Sequence, residues 1–177
     1  ASNEFEEAWL DEGINSYSEV KAMEKYYGEG RSMVDMAGVR IGDMTTQRWR
    51  VISSGRFDPV LKDSWTYMSG ASYSANVYAK AAVMLLTLER WLGEDVMARI
   101  MRTYYERWKF RHPASEDFIR VAEEVSGRDL GWFFGQTLRS PDRLDYSVSE
   151  LSSVEIDEPR GLLDAKGEKP ATDDRAG

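Results

Sequence analysis

The chain has 177 residues, 42% of them hydrophobic and 31% charged, with a formal net charge of −8. At this length roughly 70% of the unfolded surface can be buried, so a real core is expected, while the acidic balance argues against nucleic acid and anionic membranes, which demand clustered Lys and Arg. There is no Cys, which excludes disulfides and thiolate metal sites, and the most apolar run, around Ala81 to Leu88, is well short of the roughly 20 residues that span a bilayer.

In chain order, a first helix is predicted from Glu6 to Tyr27. Trp9, Gly13, Tyr17 and Val20 recur at helical spacing, Glu6 and Glu7 suit the helix N-terminus, and Gly28 and Gly30 end the run. A weaker helical pattern holds Met33, Met36, Ala37, Ile41 and Met44 between Ser32 and Val51, with Gly38 and Gly42 as breakers. The stretches 53–60 and 67–74 are rich in Ser, Gly and Pro and are predicted as loops. From Ala75 to Trp91 apolar side chains nearly surround the helix, so it should be buried on most sides. Glu94 to Phe110 is amphipathic, with Val96, Ile100, Tyr104 and Trp108 on one face.

His112-Pro113 breaks the chain, Ser115 is a candidate cap for the next helix, and "DLGWFFGQTL" reads as a last short helix. Beyond it, Tyr146, Val148, Val154 and Ile156 stand among polar residues in a strand-like pattern. The expectation is therefore a mainly α unit over residues 1–140, followed over 141–177 by the start of a β-type domain or a flexible tail. The chain starts without Met and close to a helix, so it is expected to be a piece of a longer protein.

Most chemical motifs are absent. There is no G-x-S-x-G elbow and no phosphate-binding G-x-x-x-x-G-K-[ST]. His112 is the single histidine and reads as structural or solvated. Paired carboxylates such as Glu6-Glu7, Glu94-Asp95 and Glu123-Glu124 read as solvated faces of an acidic chain. Glu12 is open to two readings: an exposed Glu on an acidic helix, or a carboxylate aimed inward. Gly13 beside it favours the second, because a glycine inside a helix costs about 1 kcal/mol against Ala and is kept where something approaches closely.

The stretch "WLDEGINSY" resembles the W-L-N-E-G-F-A-x-Y segment of the M1 family of zinc aminopeptidases, gluzincins that include aminopeptidase N and leukotriene A4 hydrolase. Asp11 stands for the usual Asn and Ile14 for the usual aromatic residue. A second stretch, "NVYAKAAVMLLTLERWLGED", resembles the family's Y-E-K-G segment and the apolar helix after it, with Ala79 and Ala81 replacing Glu and Gly. A third, "FRHPASEDFIRVAEEVSGRDLGWFFGQTL", resembles the helices that close the family's catalytic domain. The resemblance runs from about Phe5 to Leu138.

It implies the helical C-terminal subdomain of a thermolysin-like metallopeptidase catalytic domain. Glu12 is then the third zinc ligand. Tyr78, 66 residues further on as the family pattern expects, is the catalytic tyrosine, and Tyr73 is a weaker substrate-binding candidate. The H-E-x-x-H helix that would supply two histidines and a general base does not occur in this sequence. The expectation is an aminopeptidase fragment, inactive alone and without stably bound zinc, whose parent removes N-terminal residues from peptides. Its partners would be peptide substrate and the upstream half of the same protein. Self-association is also expected, through an apolar face left exposed around Trp9, Ile14 and Tyr17. The alternative is a non-catalytic helical interaction module or a decayed peptidase homologue.

Overall fold

The structure, a computed structural model, describes residues 3–54 and 58–141. They belong to one unit, Ala1–Arg143, and are mainly helical. Helix α1 spans Ala8–Tyr27. A hairpin of β1 (Val34–Met36) and β2 (Val39–Ile41) follows, antiparallel, with Val34 opposite Ile41 and Met36 opposite Val39. Then come α2 (Asp43–Ser54), a short 3₁₀ turn at Ser64–Thr66, and α3 (Gly70–Ser74). α3 runs through a π-helical turn, Ala75–Lys80, into α4 (Ala81–Leu92). Helices α5 (Glu94–Trp108), α6 (Ser115–Ser126) and α7 (Gly131–Leu138) complete the described part.

The core forms around α4. Ala81, Ala82, Met84, Leu85, Leu86 and Leu88 are all buried, as expected for a helix apolar on nearly every side. α1 packs on it with Trp9, Tyr17 and Val20, and α6 and α7 bring Phe118 and Phe134. Trp9 is fully buried, edge-on to Phe118 at 5.4 Å, and its indole N–H donates to Ser115 Oγ at 2.7 Å. Ser115 Oγ in turn donates to the Glu7 carboxylate. Tyr17 is buried and donates to the Glu89 carboxylate, which also accepts from Lys21 at 2.9 Å.

Several expectations are corrected. The segment 32–51 is not one helix. Met33, Met36 and Ile41 have helical spacing, but Ala37 and Gly38 adopt φ of 52° and 82° and turn the chain back on itself. In the hairpin, Val34, Met36, Val39 and Ile41 share one face, and all four are exposed. The segment 67–74 is a loop only to Ser69, whose hydroxyl accepts the Ser72 N–H at 3.1 Å and starts α3. Ser115 is the first residue of α6 and not its cap; its hydroxyl serves Trp9 and Glu7, while the Asp117 carboxylate accepts the Ala114 N–H. Trp9 and Tyr17 are core residues, so they form no exposed apolar face, and Ile14 is half-buried. The strands expected in the C-terminal segment lie outside the described residues.

Candidate functional site

Glu12 sits in the second turn of α1, half-buried. Its neighbour Gly13 explains how α1 reaches the helix opposite. A Cβ on Gly13 would stand 2.5 Å from the Ala81 Cβ and 3.1 Å from the Val77 carbonyl oxygen. The two backbones therefore meet at the junction of the π-helical turn and α4, and Glu12 is carried alongside the turn that holds Tyr78.

Tyr78 lies inside that turn, which is closed by the Ala81 N–H donating to the Asn76 carbonyl. A π-helical turn within an α-helix is uncommon and is frequently found at functional sites. The Tyr78 phenol is pushed well above its ordinary pKa, first by its interaction with the neighbouring Glu12 carboxylate, then by burial and the Glu12 charge. Tyr73 is edge-on to Tyr78, ring centroids 6.2 Å apart, and Tyr67 is edge-on to Tyr73 at 5.3 Å. Burial first, then the Glu12 charge, raises the Tyr73 phenol. The three residues singled out in the sequence, Glu12, Tyr73 and Tyr78, are thus neighbours.

The surroundings are acidic. Glu4 is exposed, and its carboxyl is raised first by its neighbour Asp11, then by desolvation and by the Glu12 charge. Phe5 and Trp65 stand at this edge, both exposed, with centroids 6.4 Å apart. The Ser64 N–H donates to the Phe5 carbonyl at 2.8 Å, which ties the segment before α1 to the 3₁₀ turn. His112 is exposed.

Sequence reading missed the polar cluster beneath the tyrosines. Asp58 is 1% exposed and accepts from Lys62 Nζ at 2.7 Å, Ser72 Oγ at 2.5 Å and the Met68 N–H at 3.1 Å. Burial alone would raise its carboxyl, but these three donors together hold it below the ordinary value. Asn76, fully buried, donates to the Ser72 carbonyl at 2.9 Å. The only sequence signal was a Ser-rich run next to an Asp-Pro.

A neutral phenol beside a carboxylate can donate a hydrogen bond to a nearby oxygen that acquires negative charge. One carboxylate can also serve as a single oxygen donor to a metal.

Residues 1–136 match the Peptidase family M1 domain. An aminopeptidase N from Lactococcus lactis subsp. lactis is 32% identical over 68 residues, covering 38% of this chain and 8% of that protein. An aminopeptidase A from Gloydius brevicauda is 24% identical over 188 residues, covering 95% of this chain and 17% of that protein. No solved structure matches the chain. The chain spans a minor part of the length of these relatives, and its match to the family domain covers most of its own residues: it belongs to peptidase family M1.

Proposed function

We propose that this chain forms one wall of a zinc aminopeptidase site, completed by other residues of a longer protein. One observation carries the reading: the Tyr78 phenol and the Glu12 carboxylate, on separate elements, are close enough that Glu12 is the first cause raising the phenol's pKa, and Gly13 beside Glu12 packs directly on the turn that holds Tyr78. Glu12 is the zinc ligand from this wall, Tyr78 the oxyanion donor, and Tyr73 a substrate contact. Membership of the family implies zinc. Among the described residues no group of three or more His, Cys, Asp or Glu side chains is placed to hold a metal. The residues present therefore fit one donor of a shared site, not a whole one, and no reaction step is derived through the metal.

What this chain's own residues do can be stated. Tyr78 stays protonated across the working range, because the neighbouring carboxylate and burial both disfavour a phenolate. It is then a donor whenever a tetrahedral oxygen develops charge nearby, and such a bond strengthens as the charge grows. The acidic neighbourhood of Glu4, Asp11 and Glu12 favours a cationic group, such as a peptide's protonated amino terminus.

In the intact protein, Tyr78→Phe should lower kcat by about 10²–10³ with KM little changed, while zinc content is retained. Glu12→Ala should lose zinc and activity together. A Tyr78→Phe protein with unchanged kcat would overturn the assignment.

A second reading rests on the hairpin. Val34, Met36, Val39 and Ile41 form an exposed apolar face, with Asp35 and Arg40 paired on the other side at 3.7 Å. A non-catalytic interaction module would use such a face for a partner or a second copy. Met36→Lys abolishing concentration-dependent self-association in sedimentation would favour it; a monomer before and after the change would count against it.

A further inference from the structure

We infer that Asp58, acting through Ser72 and Asn76, is a positioning residue that sets where the Tyr78 hydroxyl sits. This rests on the reading of Tyr78 as the oxyanion donor.

The three donors to Asp58 come from three places. Lys62 is one turn along the same loop, the Met68 N–H lies just before α3, and Ser72 is in the first turn of α3. One buried carboxylate thus fixes the start of α3 against the preceding loop. Ser72 then passes the constraint on. Its carbonyl accepts the Asn76 side-chain amide at 2.9 Å, and its hydroxyl lies 3.4 Å from the same nitrogen. The Ser72 carbonyl already accepts the Ala75 N–H, and the Asn76 amide adds a second, side-chain donor to it at the entry to the π-helical turn. Asn76 Oδ1 is buried with no partner among the described residues, so the side chain is held for its donor end. Tyr78 is two residues further on, inside the same turn.

A second route runs through the rings. Tyr67 Oη donates to the Val60 carbonyl at 2.7 Å, two residues from Asp58. Tyr67 is edge-on to Tyr73, and Tyr73 to Tyr78. Both routes start in the 58–60 segment and end at Tyr78. A buried ionised side chain is a poor choice for packing alone, since apolar residues of the same volume are often as stable. Directional bonds to a charge instead hold a geometry.

The test is a double-mutant cycle in the intact protein, with kcat, KM, zinc content and melting temperature measured for each variant. Ser72→Ala is used because removing Asp58 risks unfolding. It should lower kcat about tenfold with KM within about twofold and zinc retained, and Ser72→Thr should recover most of the loss. In a Tyr78→Phe background, Ser72→Ala should change kcat by less than about twofold, because the hydroxyl it positions is gone. The same loss in both backgrounds, a loss confined to KM, or loss of zinc overturns the inference. If Tyr78→Phe alone leaves kcat unchanged, the reading of Tyr78 fails, and the inference falls with it.

Discussion

The Tyr78 phenol and the Glu12 carboxylate face each other across the contact between α1 and the π-helical turn. The contact is close because Gly13, next to Glu12, has no side chain to hold Ala81 away.

Gly13→Ala should therefore destabilise the fold although Ala is the better helix former. The propensity gain is about 1 kcal/mol, and overpacking a filled interface costs about 1–3 kcal/mol. With the added carbon 2.5 Å from the Ala81 Cβ and 3.1 Å from a backbone oxygen, neither neighbour has a flexible end to move, so overpacking wins. Ala81→Gly should relieve part of the loss. Denaturant unfolding of both single variants and the double variant checks this; strictly additive effects would refute it.

The chain on its own should not retain zinc. Glu12 is the one ligand proposed within it, and a catalytic zinc takes three protein ligands. Metal analysis after dialysis should give much less than one zinc per chain, with no hydrolysis of an aminoacyl-naphthylamide. Stoichiometric zinc with turnover would contradict the shared-site reading.

Ser115→Ala should cost about 1–3 kcal/mol, because it strands the buried Trp9 N–H without an acceptor. Ser115→Thr, which keeps the hydroxyl, should cost less. Thermal unfolding of the two variants distinguishes lost hydrogen bonding from altered helix propensity.

Acid should act through Asp58. Its carboxyl is held below the ordinary value in the folded chain. The unfolded state therefore binds the proton more readily, and the stabilisation is complete above the unfolded value, about 3.9. It is lost as pH falls through the folded value. Asp58→Asn should flatten the loss of stability below about pH 4 relative to the unchanged protein. Urea midpoints at a series of pH values measure it, and parallel curves would exclude Asp58 as the acid-sensitive group.

Much of this was legible in the sequence. The motif around Glu12 and the one around Tyr78 pointed to two residues that the fold brings together. The glycine inside α1 signalled a close approach, though only the structure identifies Ala81 as the neighbour. The all-round apolar pattern of 75–91 predicted the buried α4. The hairpin was not legible, because Met33, Met36 and Ile41 carry a helical period, while the turn depends on the backbone angles of Ala37 and Gly38. α3 was hidden because its start depends on a single side chain, Ser69, in a run whose composition favours loops. The Asp58 cluster joins residues from a loop and a helix and has no period or motif to announce it.

The π-helical turn also changes how Tyr78 is placed relative to the helix after it. In a regular α-helix of 3.6 residues per turn, each residue advances the azimuth by a fixed angle, so Tyr78 and the apolar residues of α4 would be locked in phase. The Ala81-to-Asn76 hydrogen bond interrupts that progression. The direction of the tyrosine is thereby set apart from the phase of the core-forming helix, whose Ala81 stays seated against Gly13. The angle of the phenol is thus a property of the turn, while Gly13 and Ala81 fix the helix that follows.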